Sequence, residues 1–308
     1  MIYHTPVLLK ESIDLLNLKQ DGVYVDATLG GGGHSEAILQ NSLVKHVYAF
    51  DRDEEAIEYA SQRLQKYGQK LTIIKANFDE IRTQLALKRV KSIDGILFDL
   101  GVSSHQLDDA SRGFSFERDG ILDMRMDQSD EVLAKDVLNN ATQEELTRIF
   151  RDYGEEKHAY QIAHWICSVR KINPINNTKD LSTLIDKNMR GNPAFVIKTK
   201  ARIFQALRIY VNRELEALET TLEDSINLLN PGGRIVVIAY HSLEDRIVKT
   251  NMSKAAQGCI CPKTVLKCVC NQTPKVKILT GKSLRPSMEE QIKNSRSRSA
   301  RLRAAEKI

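Results

Sequence analysis

The sequence predicts an α/β fold: a parallel sheet with helices on its faces, interrupted by an inserted all-helical domain. Short runs rich in β-branched residues recur through the first third of the chain, with helical stretches between them. A fifth such run follows Pro231-Gly232-Gly233, and the long interval before it carries helical periodicity with little strand signal. Strand–helix alternation of this kind implies right-handed crossovers between parallel strands.

Taken in order, strands are expected to begin near Val23 (VYVDA), His46 (HVYAFD), Leu71 (LTIIK) and Ile93 (IDGILFDL), with a helix over Asp53 to Tyr67. From Asp130 to Met189 the pattern is helical. Thr142 and Glu145 form a capping box, followed by Leu146, Ile149, Phe150 and Tyr153 at helical spacing. Ala159, Ile162, Ala163 and Ile166 mark the next apolar stripe. Asn177-Thr178 opens a third helix, and Gly191-Asn192-Pro193 closes the section. One long helix, carrying Ile203, Leu207, Val211, Leu215, Leu218, Leu222 and Leu229, is then expected to return the chain to a fifth strand over Arg234 to Tyr240. The division is therefore 1–110 and 196–308 for the sheet domain, with a basic C-terminal tail, and 111–195 for the helical insert.

Composition narrows the function classes. With 42% hydrophobic residues in 308, the chain is globular rather than disordered. Its longest apolar runs, such as Ile235 to Tyr240, fall far short of the roughly 18 residues a membrane span needs. The start, Met1 to Pro6, lacks a basic region and an apolar core, and five cysteines is an odd number. Both point to a reducing cytoplasm rather than a disulfide framework. Eight basic residues against three acidic ones between Lys282 and Ile308 carry the whole net charge of +5. Such a segment either binds a polyanion through counterion release or forms a solvated C-terminal helix or frayed end.

Candidate chemistry sits where the predicted strands end. The first runs into Asp26-Ala27-Thr28-Leu29-Gly30-Gly31-Gly32-Gly33-His34-Ser35. A glycine run between strand and helix lets backbone amides approach a ligand closely. Ser35 stands where the dinucleotide fingerprint would need its third glycine. The second strand ends in Asp51, placed to accept hydrogen bonds from ribose hydroxyls; a tight turn with an acidic helix cap is the alternative. Asn77-Phe78-Asp79 follows the third strand, where Phe78 either packs on a purine or joins the core. Asp99 to Ser104 follows the fourth, with Gln106 just beyond. In an open parallel sheet, ligands bind outside the carboxyl ends at the switch of strand order.

These strings, taken together, resemble the RsmH (MraW) family of ribosomal RNA methyltransferases. The likeness runs almost end to end, through His4 to Leu8, Gly30 to Ser35, Phe50 to Asp53, Phe98 to Ser104, Arg112 to Phe116 and Leu122 to Asp127. It continues through Phe204 to Arg208, His241 to Arg246 and Ser295 to Ala300. Ile121 and Ser295 depart from the family pattern, which usually has proline at both. The resemblance implies a Rossmann-like class I methyltransferase sheet, S-adenosyl-L-methionine as cofactor, and N4-methylation of a cytidine in 16S ribosomal RNA near the decoding centre. It implies cofactor contacts at Gly32, Gly33, His34, Asp51, Phe78, Asp99 and Gln106, and 16S ribosomal RNA within the small subunit as partner. Whether the chain is a monomer or a homodimer stays open.

The acceptor is the chemical difficulty, because the lone pair of a cytosine N4 is delocalised into the ring. A carboxylate or backbone carbonyls accepting the amino hydrogens would localise it in the transition state. The turn Asp99-Leu100-Gly101-Val102 corresponds to the Asp/Asn/Ser-Pro-Pro-aromatic turn of related amino methyltransferases, without its prolines or aromatic. Asp99 is thus either the catalytic residue that orients the amine or a cofactor ligand only. A nicotinamide oxidoreductase and a non-catalytic RNA-binding protein are the competing readings. The broken fingerprint disfavours the first and the intact strand ends disfavour the second.

Three further features stand apart. Arg112, Arg118 and Arg125 with Phe114 and Phe116 either stack on splayed bases or form an internally salt-bridged loop. His241 follows strand five and either faces substrate or sits in the core. Cys259-x-Cys261 and Cys268-x-Cys270 either close a tetrahedral zinc site or form a loop of reduced thiols; usual structural zinc spacing has two residues inside each pair.

Overall fold

The computed structural model describes residues 6–259, 261, 270 and 272–308. The chain opens with α1 (Leu9–Leu16), β1 (Gly22–Asp26), α2 (Gly33–Gln40), β2 (Val44–Asp51), α3 (Glu54–Leu64), β3 (Leu71–Lys75), α4 (Ile81–Leu87) and β4 (Ile93–Asp99). Six helices follow: α5 (Ser104–Asp108), α6 (Ala134–Asn140), α7 (Gln143–Asp152), α8 (Ala159–Val169), α9 (Thr178–Asn188) and α10 (Pro193–Asn212). The chain closes with α11 (Glu214–Leu228), β5 (Leu229–Ala239), α12 (Ser242–Ala256), β6 (Val276–Ile278), α13 (Met288–Lys293) and β7 (Arg301–Lys307). No helix among the described residues is long and apolar enough to cross a membrane.

Two compact units result, one from the chain up to Gly101 with Leu215–Ile308, the other Val102–Glu214. In the first, seven strands lie in the order β3-β2-β1-β4-β5-β7-β6. The first five strands of that order pair in parallel, while β7 runs antiparallel to β5 and to β6. Both faces of the sheet centre are covered, which explains the unbroken apolar runs Ile96 to Phe98 of β4 and Ile235 to Ala239 of β5. Ile96, Phe98, Ile235 and Val237 pack on one face with Leu218 and Leu222 of α11 and Val248 and Met252 of α12. Leu97, Val236 and Ile238 pack on the other with Leu16 of α1 and Ile38 of α2.

Two expectations change here. The basic C-terminal segment is not a frayed tail or a single terminal helix: after the short α13 it ends in β7, inserted between β5 and β6. Arg301 and Arg303 both bond the Asp245 carboxylate of α12, at 2.7 to 3.1 Å. The Lys307 ammonium donates to the Ile226 carbonyl. Four of the seven residues of β7 are charged and only Leu302 is large and apolar, which hides its strand character. The long return helix is also two helices. Arg213, in the left-handed conformation at φ 50°, separates α10 from α11. Residue 196 falls inside α10, whose Ile203, Phe204, Ala206 and Leu207 belong to the core of the second unit.

That second unit is held by its own apolar cluster and by polar clamps. Thr142 and Glu145 of α7 cap each other, as do Asn177 and Asp180 of α9, and Asn192 caps α10 with Pro193 in its first turn. Arg112, 2% exposed, donates to the carbonyls of Arg125 and Met126. Arg125 pairs with Asp123 and donates to the Gln128 and Asp130 carbonyls. Arg118 pairs with Asp108, Phe114 is buried, and Phe116 stacks edge-on against Phe204. The arginine and aromatic run is therefore an internally bonded loop. Asn212 clamps it further, donating to the Met124 carbonyl at 2.7 Å and accepting from the Met126 amide at 2.8 Å.

Candidate active site

The order of strands reverses between β1 and β4, and the carboxyl ends of β1, β2, β4 and β5 converge beside that reversal. The glycine loop leaves β1 there. Leu29 N donates to the Phe50 carbonyl at 2.8 Å, and Arg63 donates to the Gly31 carbonyl at 2.9 Å while also binding Glu36. Gly32 sits at φ 74°, and a Cβ there would lie 3.0 Å from Leu64 Cδ1, so the turn requires glycine. From Gly33 the chain enters α2, carrying His34 and Ser35 on its first turn.

Each acid at these strand ends has a distinct environment. Asp26 is fully buried, accepting from Ser35 Oγ at 2.7 Å and from Thr28 N at 3.2 Å. Burial raises its pKa, with the His34 ring and the Ser35 bond opposing. Asp51 is part-buried and accepts the Gly30 amide at 2.7 Å and the Asp53 amide at 2.9 Å, one on each oxygen. Burial also raises its pKa. Asp99 is held twice, its amide donating to Thr28 Oγ1 at 2.7 Å and its Oδ1 accepting from Tyr240 Oη at 2.7 Å, and His34 Nδ1 lies 3.5 Å from Oδ2.

His34 is 5% exposed and its Nε2 lies 3.2 Å from the Val7 carbonyl. A carbonyl can only accept, so Nε2 carries the proton in the neutral ring and Nδ1 faces Asp99 as a lone pair. Burial lowers the imidazole pKa, against the pull of Asp26. Tyr240 is held well above the ordinary phenol range, first by burial and then by Asp99. Its ring also fills the space a side chain at Gly101 would need: a Cβ there, at φ 105°, would lie 3.3 Å from Tyr240 Cδ2.

Of the expected site residues, Gly32, Gly33, His34, Asp51, Phe78 and Asp99 all lie in the first unit. Phe78, in a one-turn helix after β3, is part-buried and meets Phe98 edge-on with ring centres 6.0 Å apart. Gln106 lies in the second unit, buried, where its side-chain carbonyl accepts the Ser103 amide in a capping box. His241 is the N-cap of α12, with Glu244 as its capping partner. Sequence reasoning assigned no role to Asp26, Ser35 or Tyr240. Asp26 and Tyr240 stand at strand ends, which was the available signal; the Ser35 bond to Asp26 has none.

A parallel sheet continued by an antiparallel β7, with a glycine turn after β1 and an acid closing β2, defines a class I methyltransferase. The profile of the MraW methylase family matches residues 1–308. The chain belongs to that family. It is 49% identical over 308 residues to the ribosomal RNA small subunit methyltransferase H of Carboxydothermus hydrogenoformans, spanning 99% of this chain and 98% of that one. The protein of the same name from Finegoldia magna is 46% identical over 313 residues, with 99% and 98% covered. Among solved structures, an rRNA methylase from Streptococcus thermophilus aligns at a TM-score of 0.45 and 13% identity, covering 99% of this chain and 98% of that one.

Proposed function

We propose that this chain transfers a methyl group from S-adenosyl-L-methionine to N4 of a cytidine in 16S ribosomal RNA, near the decoding centre, acting on the small ribosomal subunit in the cytoplasm. The observation that carries the reading is the Asp99 carboxylate, anchored at the end of β4 by the Tyr240 hydroxyl.

The strand-end residues fit the cofactor. Asp51 gives one lone pair of each oxygen to a backbone amide, which leaves one on each for the two ribose hydroxyls. The loop at Gly32 and Gly33 brings backbone to the mouth of the crevice, Phe78 offers ring area for the purine, and His34 and Asp99 border the reacting end. The role of Gln106 rests on the family resemblance alone. When bound, the sulfonium supplies an electrophilic methyl, so the protein's work is alignment and exclusion of water.

Asp99 does the remaining work on the acceptor. Its carboxylate would accept an amino hydrogen of the cytosine, favouring a pyramidal nitrogen with its lone pair aimed at the methyl. The Tyr240 hydroxyl, far too weak an acid to ionise at neutral pH, keeps that carboxylate from rotating. After transfer the nitrogen sheds a proton, which the Asp99 carboxylate would take.

Small subunits from a strain lacking this protein, incubated with methyl-tritiated cofactor and the purified chain, test the reading. Label should enter 16S RNA, and mass spectrometry should place it on N4 of one cytidine. Calorimetric cofactor binding without incorporation into any particle or RNA would overturn the RNA assignment. A thermal shift with nicotinamide dinucleotides but not with the sulfonium would overturn the whole reading.

A further inference from the structure

We infer that Cys259, Cys261 and Cys270 bind a zinc ion that staples the neck of the segment joining α12 to β6. The three sulfurs all lie within 4.8 Å of one another, and Cys270 Sγ is 3.7 Å from Cys259 Sγ. A disulfide would bring that pair to about 2.05 Å. Two thiolates on one tetrahedral zinc, each about 2.3 Å from the metal, stand about 3.8 Å apart. The observed separation matches the edge of a zinc tetrahedron.

The backbone brings the sulfurs together from both arms of the segment. Cys259 and Cys261 leave the C-terminus of α12, while Cys270 returns toward β6. Lys275 N donates to the Ala255 carbonyl at 2.7 Å, and Gln272 Nε2 donates to the Gln257 carbonyl at 3.4 Å. A Cβ added on Gly258 would just touch Pro274, at 3.5 Å from its Cγ, so the two arms run close beside each other. Cys259 is exposed and the other two are part-buried, so a metal can enter from solvent. Cys268, which completes the sequence pattern, lies outside the described residues.

Soft thiolate donors select zinc over the hard divalent cations. Each cysteine that binds gives up its thiol proton to solvent, with no change of oxidation state. The chemistry proposed above uses no metal, so the ion would be structural: it closes the loop between its two arms.

The test measures metal on the full-length protein, purified under reducing conditions and loaded with zinc salt. About one zinc per chain should remain after gel filtration, and the Cys259→Ser/Cys270→Ser double variant should retain less than about 0.2. Cobalt substitution should give thiolate-to-metal charge-transfer bands in the wild type and none in the variant. Circular dichroism checks that the variant folds, and chelation should lower the wild-type melting temperature but not the variant's. Wild type below about 0.2 zinc, a variant that keeps its zinc, or iron in place of zinc would each overturn the inference. None of these readouts depends on methyl transfer.

Discussion

The Tyr240 hydroxyl donates a 2.7 Å hydrogen bond to Asp99 Oδ1, tying the end of β5 to the end of β4. These strands are neighbours in the sheet but lie far apart in sequence, and the bond fixes the carboxylate that the proposed mechanism aims at the acceptor nitrogen. A hydrogen bond to a charged group contributes about 1.5–3 kcal/mol. Tyr240→Phe removes only the donor. Single-turnover methyl transfer should fall about 10- to 100-fold, with cofactor affinity by calorimetry changing less than about threefold. An equal loss in both would make Tyr240 a cofactor-site residue instead.

Asp99 itself separates the two roles left open by the sequence. Asp99→Asn keeps the shape and one acceptor oxygen but loses the charge. Turnover should drop by about 100-fold or more if the carboxylate localises the amine lone pair and takes its proton. Cofactor binding measured on the same sample should fall far less. Matching losses would sink the catalytic assignment.

His34 predicts a pH dependence of stability. Burial holds its folded pKa below 6.5, so between that lowered value and 6.5 the unfolded chain binds a proton the native ring refuses. Stability should therefore fall as pH drops from 7 through this window, by at most about 1.4 kcal/mol per pH unit for this one proton. His34→Gln still offers a donor toward the Val7 carbonyl without titrating. Urea midpoints at several pH values between 7.5 and 5 should slope less steeply in the variant than in wild type.

Asp245 predicts the opposite kind of profile. Burial pushes its carboxyl up, but Arg303 and Arg301 outweigh that and hold it below the ordinary carboxylate range. Its contribution is present above the unfolded value near 3.9 and is lost as pH falls through the lower folded value. Asp245→Asn should cost about 1–3 kcal/mol at pH 7, since two arginines on β7 lose their charged acceptor. The gap in melting temperature between variant and wild type should persist at pH 5 and close below about pH 4. A gap independent of pH would mean that the arginines hold β7 by packing alone.

The central parallel strands were legible because they are buried on both faces and must be apolar there, as Ile96 to Phe98 and Ile235 to Ala239 are; edge strand β3 was legible through its β-branched residues instead. Helices α7 and α9 were legible through their caps, which are local chemistry, whereas Asn192, read as closing the preceding section, caps α10. Strand β7 was not, because Arg301, Arg303 and Glu306 are satisfied by Asp245 and by Arg234 on other elements. The break at Arg213 was equally hidden, since no glycine or proline marks it and the apolar periodicity continues through it.

By itself the sequence determined the alternation of strand and helix, the glycine turn after β1, the acids at the strand ends and the motifs that place the chain in its family. These are properties of neighbours along the chain: burial pattern, turn geometry and capping all act over a few residues. Tertiary structure alone decided that Ser35 buttresses Asp26, that Tyr240 fixes Asp99, that the basic segment ends in a strand, and that three cysteines meet. Each joins groups distant in sequence, and only the packing of the folded chain sets the few ångströms on which such bonds depend.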